Sequence, residues 1–146
     1  MGLEIERKFL VRADRLPKLP APDELVQGYL SVTPTVRVRV RTAPSGERSA
    51  QLTIKGKGLR SRAEFEYAIP PADADALLAL CERSLTKRRY LLGRWEIDEL
   101  TDRELWLAEI ELESETEAFE RPGWLGEEVS DDPAYSNARL ARPRSG

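Results

Sequence analysis

The run Val36-Arg37-Val38-Arg39-Val40-Arg41 alternates valine and arginine without a break. Side chains alternate across a β-strand but recur every 3.6 residues on a helix, so only a strand gives this run two coherent faces. One face is then wholly apolar and the other wholly cationic. The valines need a cover. The three guanidinium groups, about 7 Å apart along the strand, make a track for an anion, because arginine forks match phosphate oxygens.

The same period of two runs through the rest of the chain. It predicts strands over Leu3 to Val11, Leu25 to Val32, Val36 to Arg41, Ala50 to Lys55, Ala63 to Ile69, Lys87 to Leu92, Arg94 to Glu99 and Leu105 to Glu113. Turn signals separate several of them: Thr33-Pro34, Pro44-Ser45-Gly46, Lys55-Gly56-Lys57-Gly58 and Gly93. One long helix is expected over Pro71 to Arg83, with Asp73 and Asp75 in its first turn and Leu77, Leu78, Leu80 and Cys81 as its apolar stripe. A shorter helix is expected over Pro133 to Ala141, an irregular proline-rich connection over Pro17 to Pro22, and a frayed tail from Arg142 to Gly146. The fold class is therefore α+β, mainly antiparallel β. About eight strands with one or two flanking helices suggest a barrel. At 146 residues the chain is read as one domain, 1–146.

The charges on the polar faces are sorted by strand. Glu4 and Glu6, Glu64 and Glu66, Glu96 and Asp98, and Glu109, Glu111 and Glu113 group carboxylates. Arg37, Arg39 and Arg41, Lys55, and Lys87 with Arg89 group cations. Solvated outer faces are the plain reading of such alternation. They usually intersperse signs, however, because like charges directly opposite one another destabilise pairing. Sorted walls suit a lumen in which carboxylates hold hard cations and the basic wall holds a polyanion. The apolar strand faces would then point outward, with the helix covering only part of them.

Composition narrows the chemistry. No histidine occurs, so His-based zinc sites and Ser-His or Cys-His nucleophiles are out, and a metal would need oxygen ligands, which favours Mg²⁺ or Mn²⁺. The one cysteine, Cys81, cannot form an intrachain disulfide and reads as packing. The net charge of -3 lacks the basic excess of a duplex-binding protein. No apolar run reaches membrane-spanning length and Met1-Gly2-Leu3-Glu4 has no signal-peptide pattern, so a cytoplasmic location is expected.

Glu4-Ile5-Glu6-Arg7-Lys8 resembles the Glu-x-Glu-x-Lys signature of the CYTH superfamily, the triphosphate tunnel metalloenzymes. The resemblance continues in order through Gln27-Gly28-Tyr29-Leu30, Val36-Arg37-Val38-Arg39, Thr53-Ile54-Lys55-Gly56, Glu64-Phe65-Glu66-Tyr67, Lys87-Arg88-Arg89-Tyr90, Trp95-Glu96-Ile97-Asp98, Ala108-Glu109-Ile110-Glu111-Leu112, Pro122-Gly123-Trp124-Leu125-Gly126 and Tyr135-Ser136-Asn137. It implies an antiparallel tunnel barrel acting on a triphosphate. By motif, Glu4, Glu6, Glu109 and Glu111 resemble the metal-binding carboxylates, and Arg37, Arg39, Lys55, Lys87 and Arg89 the phosphate cradle. Lys8 is similar to the lysine beside the attacking water, with Tyr29 as its partner. By the same resemblance Glu64, Glu66 and Asp98 look like supporting lumen acids. The extra Arg88 is expected on the outer face.

The short bacterial members suggest inorganic tripolyphosphate as substrate, cleaved to pyrophosphate and phosphate with Mg²⁺ or Mn²⁺. Adenylate cyclase of the class IV type, thiamine triphosphatase and a non-enzymatic polyphosphate-binding module are the alternatives. With 7% aromatics, mostly at core-like positions, no base-stacking platform is evident. The expected partner is a small-molecule triphosphate, with neither nucleic acid nor membrane, on a monomer or homodimer. Whether the C-terminal helix closes one tunnel end is left open by the sequence.

Overall fold

The structure is a computed structural model that describes residues 2–143. Its strands are β1 (Gly2–Val11), β2 (Asp23–Val32), β3 (Thr35–Thr42), β4 (Arg48–Lys55), β5 (Ser61–Ile69), β6 (Arg83–Leu92), β7 (Trp95–Leu100), β8 (Trp106–Glu111), β9 (Leu125–Glu128) and β10 (Arg142–Pro143). The helices are α1 (Pro71–Leu80) and α2 (Asn137–Leu140), with 3₁₀ turns at Ala13–Arg15 and Pro133–Tyr135. Strands β6, β2, β3, β4, β5, β1, β8 and β7 pair in that order, and β7 pairs back to β6, so eight antiparallel strands close on themselves. Strand β10 extends β6, and β9 pairs with the far end of β1, past the point where β5 leaves off.

Closure depends on β1 meeting β8, with Glu6 opposite Glu111 and Lys8 opposite Glu109. The β3 arginines face inward, with Arg37 opposite Thr53 and Arg39 opposite Gln51 on β4. Gly93 (φ +60) makes the two-residue connection between Leu92 and Trp95, a backbone conformation that glycine adopts without steric cost.

The outward apolar faces are covered from two sides. Helix α1 lies across β2, β3 and β4, with Ala74, Leu77 and Leu78 over Val38, Val40 and Ala50. Gly28 permits this approach, since a Cβ there would lie 2.7 Å from Cys81 Sγ and 2.8 Å from a Leu78 methyl. The helix is shorter than the pattern predicts. Cys81 is already extended (φ -80, ψ 131) and Arg83 starts β6, so Leu80 points to solvent at 70% exposure instead of joining the stripe.

The second cover is a segment the alternation did not reveal. Phe119, Trp124 and Leu125 pack with Leu16 and Leu19 over Phe9, Trp95, Ile97, Ala108 and Ile110. Trp95 and Trp124 meet edge to face at 5.4 Å. Arg7, a cation among apolar neighbours on β1, is accommodated there: it donates two hydrogen bonds to Glu128 and lies 5.1 Å from the Phe119 ring centroid. Arg88 is on the outer face, near Glu24 and Glu99. Leu3, Tyr67 and Leu91 stay exposed.

A third apolar cluster is inside the barrel. Tyr29, Leu85, Leu100 and Leu107 form a floor at one end of the lumen, on which Val129, Leu140 and Ala141 sit. The C-terminal segment thus caps part of that end. The single helix expected over Pro133 to Ala141 is broken at Ser136, which is extended (ψ 145) and caps α2 by accepting a hydrogen bond from the Arg139 amide. The expected fray also starts later than predicted. Arg142 and Pro143 pair with Ser84 and Arg83, and Arg144 to Gly146 lie outside the described residues.

Candidate active site: a lumen with sorted walls

Above the apolar floor the lumen is lined by charge. A cavity of about 280 Å³ is bounded by Glu4, Glu6, Glu109 and Glu111 on β1 and β8, and by Arg37, Arg39, Lys55 and Arg89 across from them on β3, β4 and β6. Glu64, Glu66, Glu96 and Gln51 continue its wall, and Asn137 of α2 reaches it. Glu66 and Glu111 are solvent-exposed at its open end.

The basic wall is held by specific partners. Arg89 donates to both oxygens of Asp98, at 2.8 and 2.9 Å, and Lys87 reaches the same carboxylate at 2.6 Å. Arg39 donates to Gln27 Oε1 at 2.9 Å, and the Gln27 amide donates to the Tyr29 hydroxyl at 3.1 Å. Arg37 donates to Thr53 at 3.1 Å, while its buried Nε has no hydrogen-bond partner. Burial presses the cations toward neutrality. It takes Arg39 down to about 9, helped by Arg37 and Arg89, and takes Lys87 down to about 7 despite Asp98. Burial also opposes the charge on Arg89, but its fork on Asp98 overcomes this and holds it well above the usual range. Burial would raise Asp98 as well, yet Lys87 and Arg89 outweigh it and hold the carboxyl at about 2.

On the acidic wall, like charges divide the carboxyls. Burial pushes Glu6 well above the ordinary carboxylate range, and Glu109 beside it adds to the push. Burial would raise Glu109 too, but Lys8, a hydrogen bond with Glu6, Lys87 and Arg89 hold it well below. Glu4 accepts from Lys55 at 3.0 and 3.1 Å, and these contacts outweigh burial to lower it. Among the described residues no three acidic side chains converge closely enough to hold an ion as they lie. Glu4 is turned onto Lys55, and Glu109 Oε1 lies 3.8 Å from Lys8 Nζ.

Lys8 does not line the larger cavity. It borders a small recess beside Glu6, where its Nζ donates to the Tyr135 carbonyl at 2.9 Å. Tyr29 is bonded to Gln27 and not to Lys8, although both project inward. Asp98 is sealed under Lys87 and Arg89, away from the open cavity. Two C-terminal contributors carry no alternation signal. Tyr135 meets Lys8 through its backbone carbonyl, which no side-chain pattern encodes. Asn137 accepts from Lys87 at 3.2 Å, and its only sequence signal is the Tyr135-Ser136-Asn137 motif.

Comparison with known proteins agrees with this geometry. The family model described as "CYTH domain" matches residues 2–140. An inorganic triphosphatase of Acetivibrio thermocellus is 40% identical over 97% of this chain and 95% of its own length. An inorganic triphosphatase of Nitrosomonas europaea is 37% identical over 94% of this chain and 96% of its own. The crystal structure of an inorganic triphosphatase superposes with a TM-score of 0.63 at 33% identity, covering 98% of this chain and 97% of that one.

Proposed function

The chain belongs to the CYTH domain family, and from that premise we propose that it hydrolyses inorganic tripolyphosphate to pyrophosphate and phosphate. One observation carries the reading: a basic wall and an acidic wall face each other across a single closed lumen. The full-length likeness to proteins named inorganic triphosphatase supports it.

A tripolyphosphate carries roughly four or five negative charges near neutral pH. Arg37, Arg39, Lys55 and Arg89 supply four cations on one side of the lumen, and Lys87 stands behind them on Asp98. In this reading Arg37 offers its buried Nε, which has no hydrogen-bond partner among the described residues, and Arg39 offers the guanidinium nitrogens not used by Gln27.

The acidic wall fits a hard divalent cation by donor chemistry, since Glu4, Glu6, Glu109 and Glu111 offer only oxygen. The raised Glu6 supports the fit, because two carboxyls that cannot both ionise comfortably can exchange their shared proton for a metal ion. A bound Mg²⁺ or Mn²⁺ would neutralise phosphate charge and make a bound water more acidic. Glu4 would give up Lys55 to take such an ion, and Lys55 would then be free to take a phosphate oxygen. In-line attack by water forms a bond to a terminal phosphorus as the bridging P–O bond breaks. Lys8, beside Glu109 and Glu6, would hold that water. No covalent nucleophile is needed: there is no histidine, and Cys81 is buried under α1 outside the barrel.

The test presents tripolyphosphate, ATP, thiamine triphosphate and pyrophosphate side by side with Mg²⁺ and with Mn²⁺, following phosphate and cyclic AMP. Metal-dependent phosphate release should be fastest from tripolyphosphate. Cyclic AMP formation, or binding without turnover, would replace the reading with one of its alternatives.

A further inference from the structure

The lumen continues past the acidic cavity. Arg37, Lys55 and Asn137 line that cavity and also a second one of about 480 Å³, which opens at the other end of the barrel. The second cavity lies between the β2–β3 turn, the β4–β5 loop and α2, on the side that the C-terminal segment leaves uncapped. Its charge is the reverse of the first. Five cations, Arg37, Lys55, Arg62, Arg83 and Arg139, line it and no acid does, whereas seven carboxylates face four cations in the first.

Several of these cations have partners. Arg62 lies 3.4 Å from Glu4, and Arg83 donates to the Ala141 carbonyl. Arg139 is exposed, and its guanidinium has no ion pair or hydrogen bond among the described residues. It is an uncommitted cation at the rim, while Arg37, at 5% exposure with its Nε unpartnered, waits at the inner end.

We infer that the tunnel is loaded from opposite ends: the triphosphate enters through this basic vestibule, with Arg139 as its first contact, and cations approach the carboxylates from the acidic mouth. The inference rests on the proposed hydrolysis of tripolyphosphate. Electrostatic focusing in a cleft lined by one sign of charge concentrates the opposite charge, and the effect weakens with salt. At the acidic mouth a polyanion would meet Glu66, Glu96 and Glu111 alongside the arginines, with Glu66 3.9 Å from Arg37 and Glu96 3.3 Å from Arg89. From the vestibule it meets only cations as far as Arg37 and Lys55.

The test blocks each mouth in turn. Cys81 is the chain's one cysteine and is buried, so an introduced thiol can be labelled selectively. Leu59 lines the vestibule and is 41% exposed, while Ala68 is exposed on the inward face of β5, opposite Gln51. Leu59→Cys carrying a bulky uncharged maleimide should lose at least about tenfold in kcat/KM for tripolyphosphate. Ala68→Cys carrying the same label should stay within about twofold, with both unlabelled variants as references. Independently, Arg139→Glu should lower kcat/KM several-fold and flatten its salt dependence at unchanged kcat, whereas Lys18→Glu, an equal charge change at a residue that lines neither cavity, should do neither. A larger loss from the Ala68 label, equal losses from both labels, or no loss from either overturns the inference. So does an Arg139→Glu variant that matches Lys18→Glu. A wild-type protein that releases no phosphate from tripolyphosphate instead defeats the functional reading, and the entry route falls with it.

Discussion

Lys87 Nζ lies 2.6 Å from Asp98 Oδ2 between β6 and β7, and neither side chain exposes more than 3% of its surface. Asp98 serves Arg89 at the same time, so two cations share one carboxylate. A charge pair sealed this way adds little net stability, because desolvation offsets the attraction, but removing one member leaves the other uncompensated.

Asp98→Asn should therefore destabilise the fold by about 3 kcal/mol near pH 6, read from urea unfolding. Lys87 has a folded pKa of about 7, below its usual 10.5, so the unfolded chain holds the extra proton between those values. This group's contribution then favours folding increasingly as pH rises through that window. Without Asp98 to raise it, Lys87 titrates lower in Asp98→Asn, so the deficit should narrow as pH rises toward 7 and level off above it. A deficit that widens would contradict the assignment.

The same lysine links substrate binding to protons. With Lys87 near half-protonation at pH 7, an arriving polyanion should draw a proton onto it. Calorimetry of tripolyphosphate binding at pH 8, in buffers of different ionisation enthalpy, should report uptake of a fraction of a proton. The uptake should disappear in Lys87→Met.

Glu6→Gln separates metal binding from folding. The folded pKa of Glu6 is raised, so its contribution falls as pH rises above the ordinary carboxylate value, and a neutral amide avoids that penalty at pH 7. The metal-free variant should melt at or above the wild-type temperature. Stabilisation by millimolar Mn²⁺, large in the wild type, should drop by at least half. An unchanged Mn²⁺ shift would remove Glu6 from the ligand set.

Arg39 and Lys8 should fail differently. Arg39→Ala removes a charged contact present in both ground and transition states, worth about 1.5–3 kcal/mol, so KM should rise roughly 10- to 100-fold with kcat little changed. Lys8→Ala should mainly lower kcat, because Lys8 stands among the carboxylates and off the arginine track. If Lys8→Ala raises KM at unaltered turnover, the lysine is part of the cradle.

Gly28→Val tests the helix cover. Its branched side chain would drive into Cys81 Sγ and Leu78 and push α1 off the barrel. Overpacking of this kind costs about 1–3 kcal/mol, read as a lower urea midpoint, and the added Leu78→Ala should recover part of it.

Most of the barrel was legible because its faces differ so sharply. Valine against arginine on β3, and isoleucine against glutamate on β1 and β8, define two faces that a one-residue slip would exchange, and the sorting of charge by strand marks the polar one as inward. The adjacency of β1 and β8 follows once the ends of the sheet must meet, while the Glu6–Glu111 and Lys8–Glu109 registers are seen only in the structure. What stayed hidden lacks a period. Phe119 to Leu125 covers the outer face as an irregular segment, and only its contacts with Phe9 and Trp95 identify it. The Tyr135 carbonyl reaches Lys8 through a chain bend at Ser136, where the sequence reads as one continuous helix.

The placement of β1 also bears on how the chain is made. It precedes the other barrel strands in the chain, yet it pairs with β5, β8 and β9, the last ending at Glu128. The β2–β5 meander has local partners and can assemble early, but the cylinder cannot shut until β8 has been synthesised. Until then β1 and the unjoined sides of β5, β6 and β8 present open hydrogen-bonding edges with apolar side chains beside them, the kind of surface that invites association with other nascent chains. The final step of folding and the meeting of Glu6 with Glu111 are thus one event, so a chain truncated before β8 would lack both its seam and its carboxylate pair.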